Sequence, residues 1–162
     1  EPDAAGSQLQ PLALDEVVRS GIADVHALAE ARGTDLNLES PQHVVVHGDA
    51  DALRILARNL IDNAVRYSPP SGTVQVRVVA EAEGDARFEV DDSGPGIPRA
   101  ERERAFDRFY RRDGSPEGGS GLGLAIVKAI ANRHGATVTL GESPLRGLRV
   151  TVSFPRAQAA TI

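Results

Sequence analysis

Apolar residues recur at helical spacing in three stretches of the chain and alternate with polar ones in several others. Val17, Val18, Ile22, Val25, Leu28 and Ala29 fall three or four apart, which predicts a helix capped by Asp15 and stopped by Gly33. Leu53, Ala57, Leu60, Ile61 and Ala64 make the stripe of a second helix from near Asp49 to about Tyr67, ended by Ser68-Pro69-Pro70-Ser71-Gly72. A third helix is expected over 121–133, stopped by Gly135. Short strands are expected over 11–14, 35–38 and 44–46. Residues 73–80 and 86–91 read as a hairpin around Glu83-Gly84-Asp85, and 136–140 with 148–154 as a closing hairpin. Residues 93–120 are rich in glycine and proline and hold one short helix near 99–106.

These elements sum to three main helices and five to seven strands. Neighbouring strands are mostly joined as hairpins, so the expected fold is α+β: a largely antiparallel sheet with helices on one face. At 162 residues without an internal repeat, the chain reads as a single domain over 11–155, with a linker over 1–10 and a loose tail over 156–162. A hydrophobic share of 41% suits one buried core. The net charge of −5 argues against general affinity for nucleic acid. The absence of cysteine excludes a disulfide framework, a thiolate metal site and a cysteine nucleophile, and fits a reducing compartment such as the cytoplasm. No apolar run approaches the ~20 residues of a membrane span. The chain opens on Glu1, which suggests a piece of a longer protein.

Four short motifs follow one another within about 65 residues. The first is Asn59-Leu60-Ile61-Asp62-Asn63-Ala64-Val65-Arg66-Tyr67 on the second helix. Asn59, Asn63 and Arg66 are spaced i, i+4 and i+7 and share a face beside the apolar stripe. An Asn carbonyl oxygen is a hard neutral ligand that suits Mg²⁺ when phosphates supply other ligands. Asn63 is the choice for that ligand, with Asn59 in support. Arg66 and Tyr67 can reach phosphate oxygens or the edge of a nucleotide.

The second motif is Asp92-Ser93-Gly94-Pro95-Gly96-Ile97. A carboxylate there can accept from an exocyclic amino group such as that of adenine, and the glycines let backbone approach a flat ligand. The third is Phe106-Asp107-Arg108-Phe109, whose two aromatics anchor a lid to the core or plug a local gap. Arg108, Arg111 and Arg112 stand near enough in sequence to contact phosphates. The fourth is Gly119-Ser120-Gly121-Leu122-Gly123-Leu124 at the start of the third helix, where free N–H groups and the positive dipole end attract phosphate. It is neither a Walker A loop nor a dinucleotide fingerprint. His26, His43, His47 and His134 show no metal spacing and no neighbouring carboxylate, and all four read as structural or exposed.

In this order and spacing the motifs resemble the N, G1, F and G2 boxes of bacterial two-component sensor histidine kinases, over residues 49–155. The resemblance implies a Bergerat-type two-layer α/β sandwich with a mixed, mostly antiparallel sheet, shared with type II topoisomerases, the MutL repair proteins and heat-shock chaperone ATPases. It implies ATP and Mg²⁺ as ligands, with Asn63 on the metal and Asp92 on the adenine amino group. It places Gly94, Gly96 and Ile97 at the adenine pocket and a lid over 97–120. Gly119, Gly121, Leu122, Gly123 and Leu124 would then meet the phosphates. Asn59, Asn63 and Arg66 become the catalytic set. Arg66 stands where the family usually has Lys. The family's acceptor histidine box is absent, so the chain resembles the catalytic domain alone, and it would act as a monomeric fragment. Its partners would be an upstream dimerisation and phosphoacceptor domain and a response regulator, in a parent anchored in the membrane.

Three functions compete. One is the phosphoryl-donating half of a histidine kinase. Another is an ATPase clamp, which needs a carboxylate base at the position of Asn59. The last is a nucleotide-binding module without catalysis.

Overall fold

The computed structural model describes residues 9–81, 83–108, 110 and 123–155. Strand β1 (Gln10–Ala13) runs directly into helix α1 (Leu14–Arg32), which is followed by β2 (Asp35–Glu39) and β3 (Val45–Gly48). Helix α2 (Ala50–Tyr67) leads to the hairpin β4 (Thr73–Ala80) and β5 (Ala86–Asp92). Two single 3₁₀ turns, Arg99–Glu101 and Arg104–Phe106, precede helix α3 (Gly123–Arg133) and the hairpin β6 (Thr137–Glu142) and β7 (Leu148–Phe154).

Five strands form one sheet in the order β2-β4-β5-β7-β6. Only β2 and β4 run parallel, because β3 and α2 cross over between them; the other pairs are antiparallel. β1 and β3 form a separate antiparallel ribbon. The chain is therefore an α+β sandwich with a mixed, mostly antiparallel sheet and three main helices, as expected.

Alternation decides which face of the sheet is covered. Val74, Val76 and Val78 of β4, Phe88 and Val90 of β5, and Val150, Val152 and Phe154 of β7 are buried. They meet Leu53, Leu56, Leu60, Ile61 and Ala64 of α2, and Val18 and Val25 of α1, in one continuous core. Gly21 lets α1 approach α2: a Cβ there would stand 3.0 Å from the Cβ of Ala57. The other face of the sheet carries a charge ladder. Arg149 donates to both oxygens of Asp91 at 2.8 and 3.0 Å and lies 3.4 Å from Glu89, which Arg77 also approaches. Both acids are buried beneath the arginines that neutralise them.

The helix ends match their sequence signals at most positions. Asp49 caps α2, its Oδ1 accepting from the N–H groups of Asp51 and Ala52 at 3.1 and 3.3 Å. Gly33 and Gly135 adopt the left-handed conformation that closes α1 and follows α3. The segment near 99–106 is a pair of 3₁₀ turns rather than one continuous helix, closed by the i→i+3 bonds Arg102 N–H to Arg99 O and Asp107 N–H to Arg104 O.

Asp15 is a correction. The residue preceding α1 is Ala13, with no side-chain cap, and Asp15 lies inside the first turn, fully buried. Its Oδ1 accepts from the N–H of Val44 at 3.0 Å, and its Oδ2 faces Arg19 Nη1 at 3.1 Å and His43 Nδ1 at 2.8 Å. The carboxylate thus ties α1 to the chain entering β3. His43 does have a carboxylate neighbour, one that sequence distance concealed, although its ring is 74% exposed. His134 is structural: Nδ1 donates to Ile130 O and Nε2 accepts from Asp49 N–H, which joins the end of α3 to the cap of α2.

Burial raises the Asp15 carboxyl pKa, but the bonds from Val44, His43, its own backbone and Arg19 outweigh it and hold the pKa below the usual carboxylate value. A lowered folded pKa adds stability above the unfolded value of about 3.9, and that stability disappears as pH falls through the folded value. Asp15→Ala is expected to lower unfolding free energy at pH 7 by about 1–3 kcal/mol, since it strands a buried N–H. Urea titrations at pH 7 and below pH ~3 check this: the gap between variant and parent shrinks at acid pH.

Candidate functional site

The last turn of α2 brings the first two motifs together. β5 ends at Asp92, which is 2% exposed. Its Oδ1 accepts from the N–H of Gly94 at 3.0 Å and from the N–H of Leu148 at 2.9 Å. One bond comes from the turn itself and the other from β7, and together they fix the carboxylate's orientation. Its neighbour Asp91 points to the opposite face and belongs to the charge ladder.

Gly94 sits directly on the backbone carbonyl of Tyr67, where a Cβ would overlap that oxygen. Ser93 adds a staple. Its Oγ accepts from Thr73 N–H and donates to Thr73 O, both at 3.0 Å, while its own N–H donates to Ser68 Oγ at 3.1 Å. The start of the glycine turn is therefore bonded to the chain leaving α2. Gly96 has φ +74°, a conformation that favours glycine, and Ile97 is buried. Beyond this turn an open hollow runs between Pro95–Arg102 and the β6–β7 turn at Glu142–Gly147.

Asn63 lies one helical turn before Tyr67, about 6 Å along the α2 axis. Its amide packs over Gly123, the first residue of α3; a Cβ on Gly123 would stand 2.8 Å from Asn63 Nδ2 and 3.3 Å from Oδ1. The carboxamide is thus held against the N-terminal turn of α3. Asn59, one turn earlier on the same face, is half-buried. Arg66 pairs with Asp62, Nε to Oδ1 at 2.6 Å. Tyr67 and Leu124 are half-buried.

The third motif is described only in part. Ala105 is buried and Phe106 lies beneath Lys128 of α3, whose Nζ is 4.8 Å from the ring centroid. Phe106 thereby attaches the segment after the glycine turn to α3. Arg108 is exposed. Phe109, Arg111, Arg112, Gly119, Gly121 and Leu122 lie outside the described residues, as does the 111–120 stretch of the expected lid. Among the described residues no cluster of three His, Asp or Glu side chains could hold a metal.

Several contributors were hidden in the sequence. Gly147 reads there as an ordinary turn glycine, yet a Cβ on it would overlap Asp92 Oδ1 and stand 2.6 Å from Gly94 N. Arg32, at the end of α1, donates to the carbonyl of Ser68 at 2.8 Å and to that of Arg66 at 3.3 Å, placing a cation at the negative end of α2. Neither carries a local signal, because each partner is distant along the chain.

Residues 48–158 match the family model described as histidine kinase-, DNA gyrase B- and HSP90-like ATPase. The chain belongs to this family. The sensor protein QseC of Salmonella typhimurium is 38% identical over 88% of the chain, which spans 31% of that relative's length. The solved mycobacterial sensor histidine kinase MprB is 31% identical, covers 92% of this chain and all of its own, and superposes with a TM-score of 0.83. The solved ATP-binding domain of PrrB from Mycobacterium tuberculosis is 28% identical over 93% of this chain and 98% of its own, with a TM-score of 0.73. The α/β sandwich of this ATPase-family domain is therefore shared with histidine kinase domains. Among the described residues no helix is long and apolar enough to cross a membrane.

Gly147→Ala in this domain is expected to push the Asp92 carboxylate off its two N–H donors. The expected loss of unfolding free energy is about 1–3 kcal/mol, read by urea denaturation, with the far-ultraviolet spectrum unchanged.

Proposed function

We propose that this domain binds Mg·ATP around the C-terminal half of α2 and donates the γ-phosphate to a histidine on a separate domain of its parent protein. The observation that carries the reading is the position of Asn63. Its amide lies on the glycine that opens α3, and one turn later the same helix meets the glycine turn of Asp92. One rigid helix therefore spaces a carboxylate suited to adenine from a carboxamide and a helix N-terminus suited to phosphates.

In this reading Asp92 accepts from the adenine amino group, and Gly94, Gly96 and Ile97 form the wall beside the base. Asn63, supported by Asn59, holds the cation, whose chemistry is to neutralise phosphate charge. The donor set fits: a neutral hard oxygen beside a Cβ-free approach. Arg66 and Arg108 reach phosphate oxygens, and Tyr67 borders the base. Gly119, Gly121, Leu122, Gly123 and Leu124 surround the phosphates at the start of α3. An imidazole nitrogen of the acceptor histidine attacks the γ-phosphorus in line, a P–N bond forms, and the P–O bond to the β-phosphate breaks to release ADP. The chain's part is positioning and charge neutralisation.

The parent is then a two-component sensor kinase. Its own dimerisation domain supplies the histidine, a response regulator takes the phosphoryl group, and this domain works in the cytoplasm beneath a membrane anchor. An ATPase-clamp function lacks support here. Residue 59 is Asn, which cannot take a proton from water at a useful pKa, and the nearby Asp62 is engaged by Arg66 at 2.6 Å.

Asp92→Ala and Asn63→Ala are each expected to weaken Mg·ATP, Asp92→Ala by roughly 10- to 100-fold, the scale of a hydrogen bond to a charged group. Calorimetry that finds parental affinity in both variants removes these assignments. Radiolabelled ATP should label a separately supplied acceptor hairpin from the parent and leave the domain itself unlabelled. An unlabelled cognate hairpin would instead favour a binding module without catalysis. Asn59→Glu should raise ATP hydrolysis by supplying the missing base; fast hydrolysis by the unaltered domain would contradict the kinase reading.

A further inference from the structure

Beside the proposed nucleotide site, one charged group on α2 has no task in that reading. Asp62 directly precedes Asn63, and its Oδ1 takes the Nε–H of Arg66 at 2.6 Å. The acid lies N-terminal to the base at i,i+4, the favourable orientation for such a pair. About a third of each side chain is in water, 35% for Asp62 and 38% for Arg66, so the pair is a weak stabiliser of the fold. What it supplies is geometry.

The carboxylate engages the inner nitrogen of the guanidinium. The terminal nitrogens stay outside the pair and have no partner among the described residues. Those two nitrogens are the edge that matches two phosphate oxygens. Arg66 follows Asn63 by three residues on the helix face that meets the first turn of α3. A carboxylate placed only to compete would take the terminal edge itself.

We infer that Asp62 is a positioning residue: it holds Arg66 by Nε so that the terminal edge of the guanidinium receives a nucleotide phosphate. This rests on the phosphate contact proposed above for Arg66. The arrangement depends on arginine. A lysine has a single nitrogen, so a carboxylate at position 62 would occupy the one group that could reach phosphate. Asp62 therefore aids an arginine and hinders a lysine.

Mg·ATP and adenosine binding, measured by calorimetry and by competition on the 162-residue chain, test this. Arg66→Ala should weaken Mg·ATP by about ten-fold, and Asp62→Ala by about three-fold or more, with adenosine unchanged in both. Asp62→Ala should add no weakening in the Arg66→Ala background. In the Arg66→Lys background, removing Asp62 should leave Mg·ATP affinity equal or tighter. Asp62→Asn keeps an acceptor and the side-chain volume, and should recover part of the Asp62→Ala loss. Parental Mg·ATP affinity in Arg66→Ala would remove the underlying phosphate contact. If Arg66→Ala is weak while Asp62→Ala binds as well as the parent or better, the positioning role is overturned. It is overturned equally if Asp62→Ala weakens adenosine to the same extent, or still weakens Mg·ATP when Arg66 is gone.

Discussion

The seating of the Asp92 turn on the last turn of α2 is the contact on which the rest depends. Gly94 rests on the carbonyl of Tyr67 with no room for a side chain, and Ser93 binds both Thr73 and Ser68. These bonds close the end of a helix whose other face forms the centre of the core. Core packing and site geometry therefore share one rigid element. Displacing the turn would move Asp92 and uncover the carbonyl of Tyr67, on which Gly94 sits, beside the carbonyls of Arg66 and Ser68 that Arg32 covers.

Strand register makes the second contribution. Asp91 and Asp92 are chemically identical neighbours with opposite surroundings. Asp91 opposes Arg149 across the β5–β7 pair and is neutralised by it, while Asp92 turns toward the N–H groups of Leu148 and Gly94. A slip of one residue would exchange the two and bring Asp91 to the helical side. The alternating valines of β4 and the Phe88–Val152 and Val90–Val150 pairs hold that register through their burial. Hydrophobic alternation in the sheet thus decides which carboxylate faces the site.

Elements set by short-range physics were legible in the chain. The α2 stripe, its start near Asp49, the left-handed glycines and both hairpins match their sequence signals, because spacing and turn chemistry act within a few residues. The fold class followed from the hairpin pattern, and the family from four motifs in order. Asp15 was misread because a carboxylate ahead of an apolar run looks like a cap; besides Arg19, its partners are 28 and 29 residues away. The two 3₁₀ turns were read as one short helix, because a polar stretch of eight residues without proline carries no signal that separates two single turns from a continuous helix. Gly147 and Arg32 gave no local warning, since their contacts join chain segments that only folding brings together.

The linear order of residues alone settled the helix and strand inventory, the absence of thiol chemistry and the identity of the polar groups beside the α2 stripe. Tertiary structure decided what those groups face: that Asn63 meets the first turn of α3, that Asp92 and not Asp91 turns toward the helices, and that Arg66 is held through its inner nitrogen. The division has a physical cause. Periodicity and capping energies are local and can be read along the chain, whereas close approach and hydrogen-bond pairing depend on which distant backbones the core forces together.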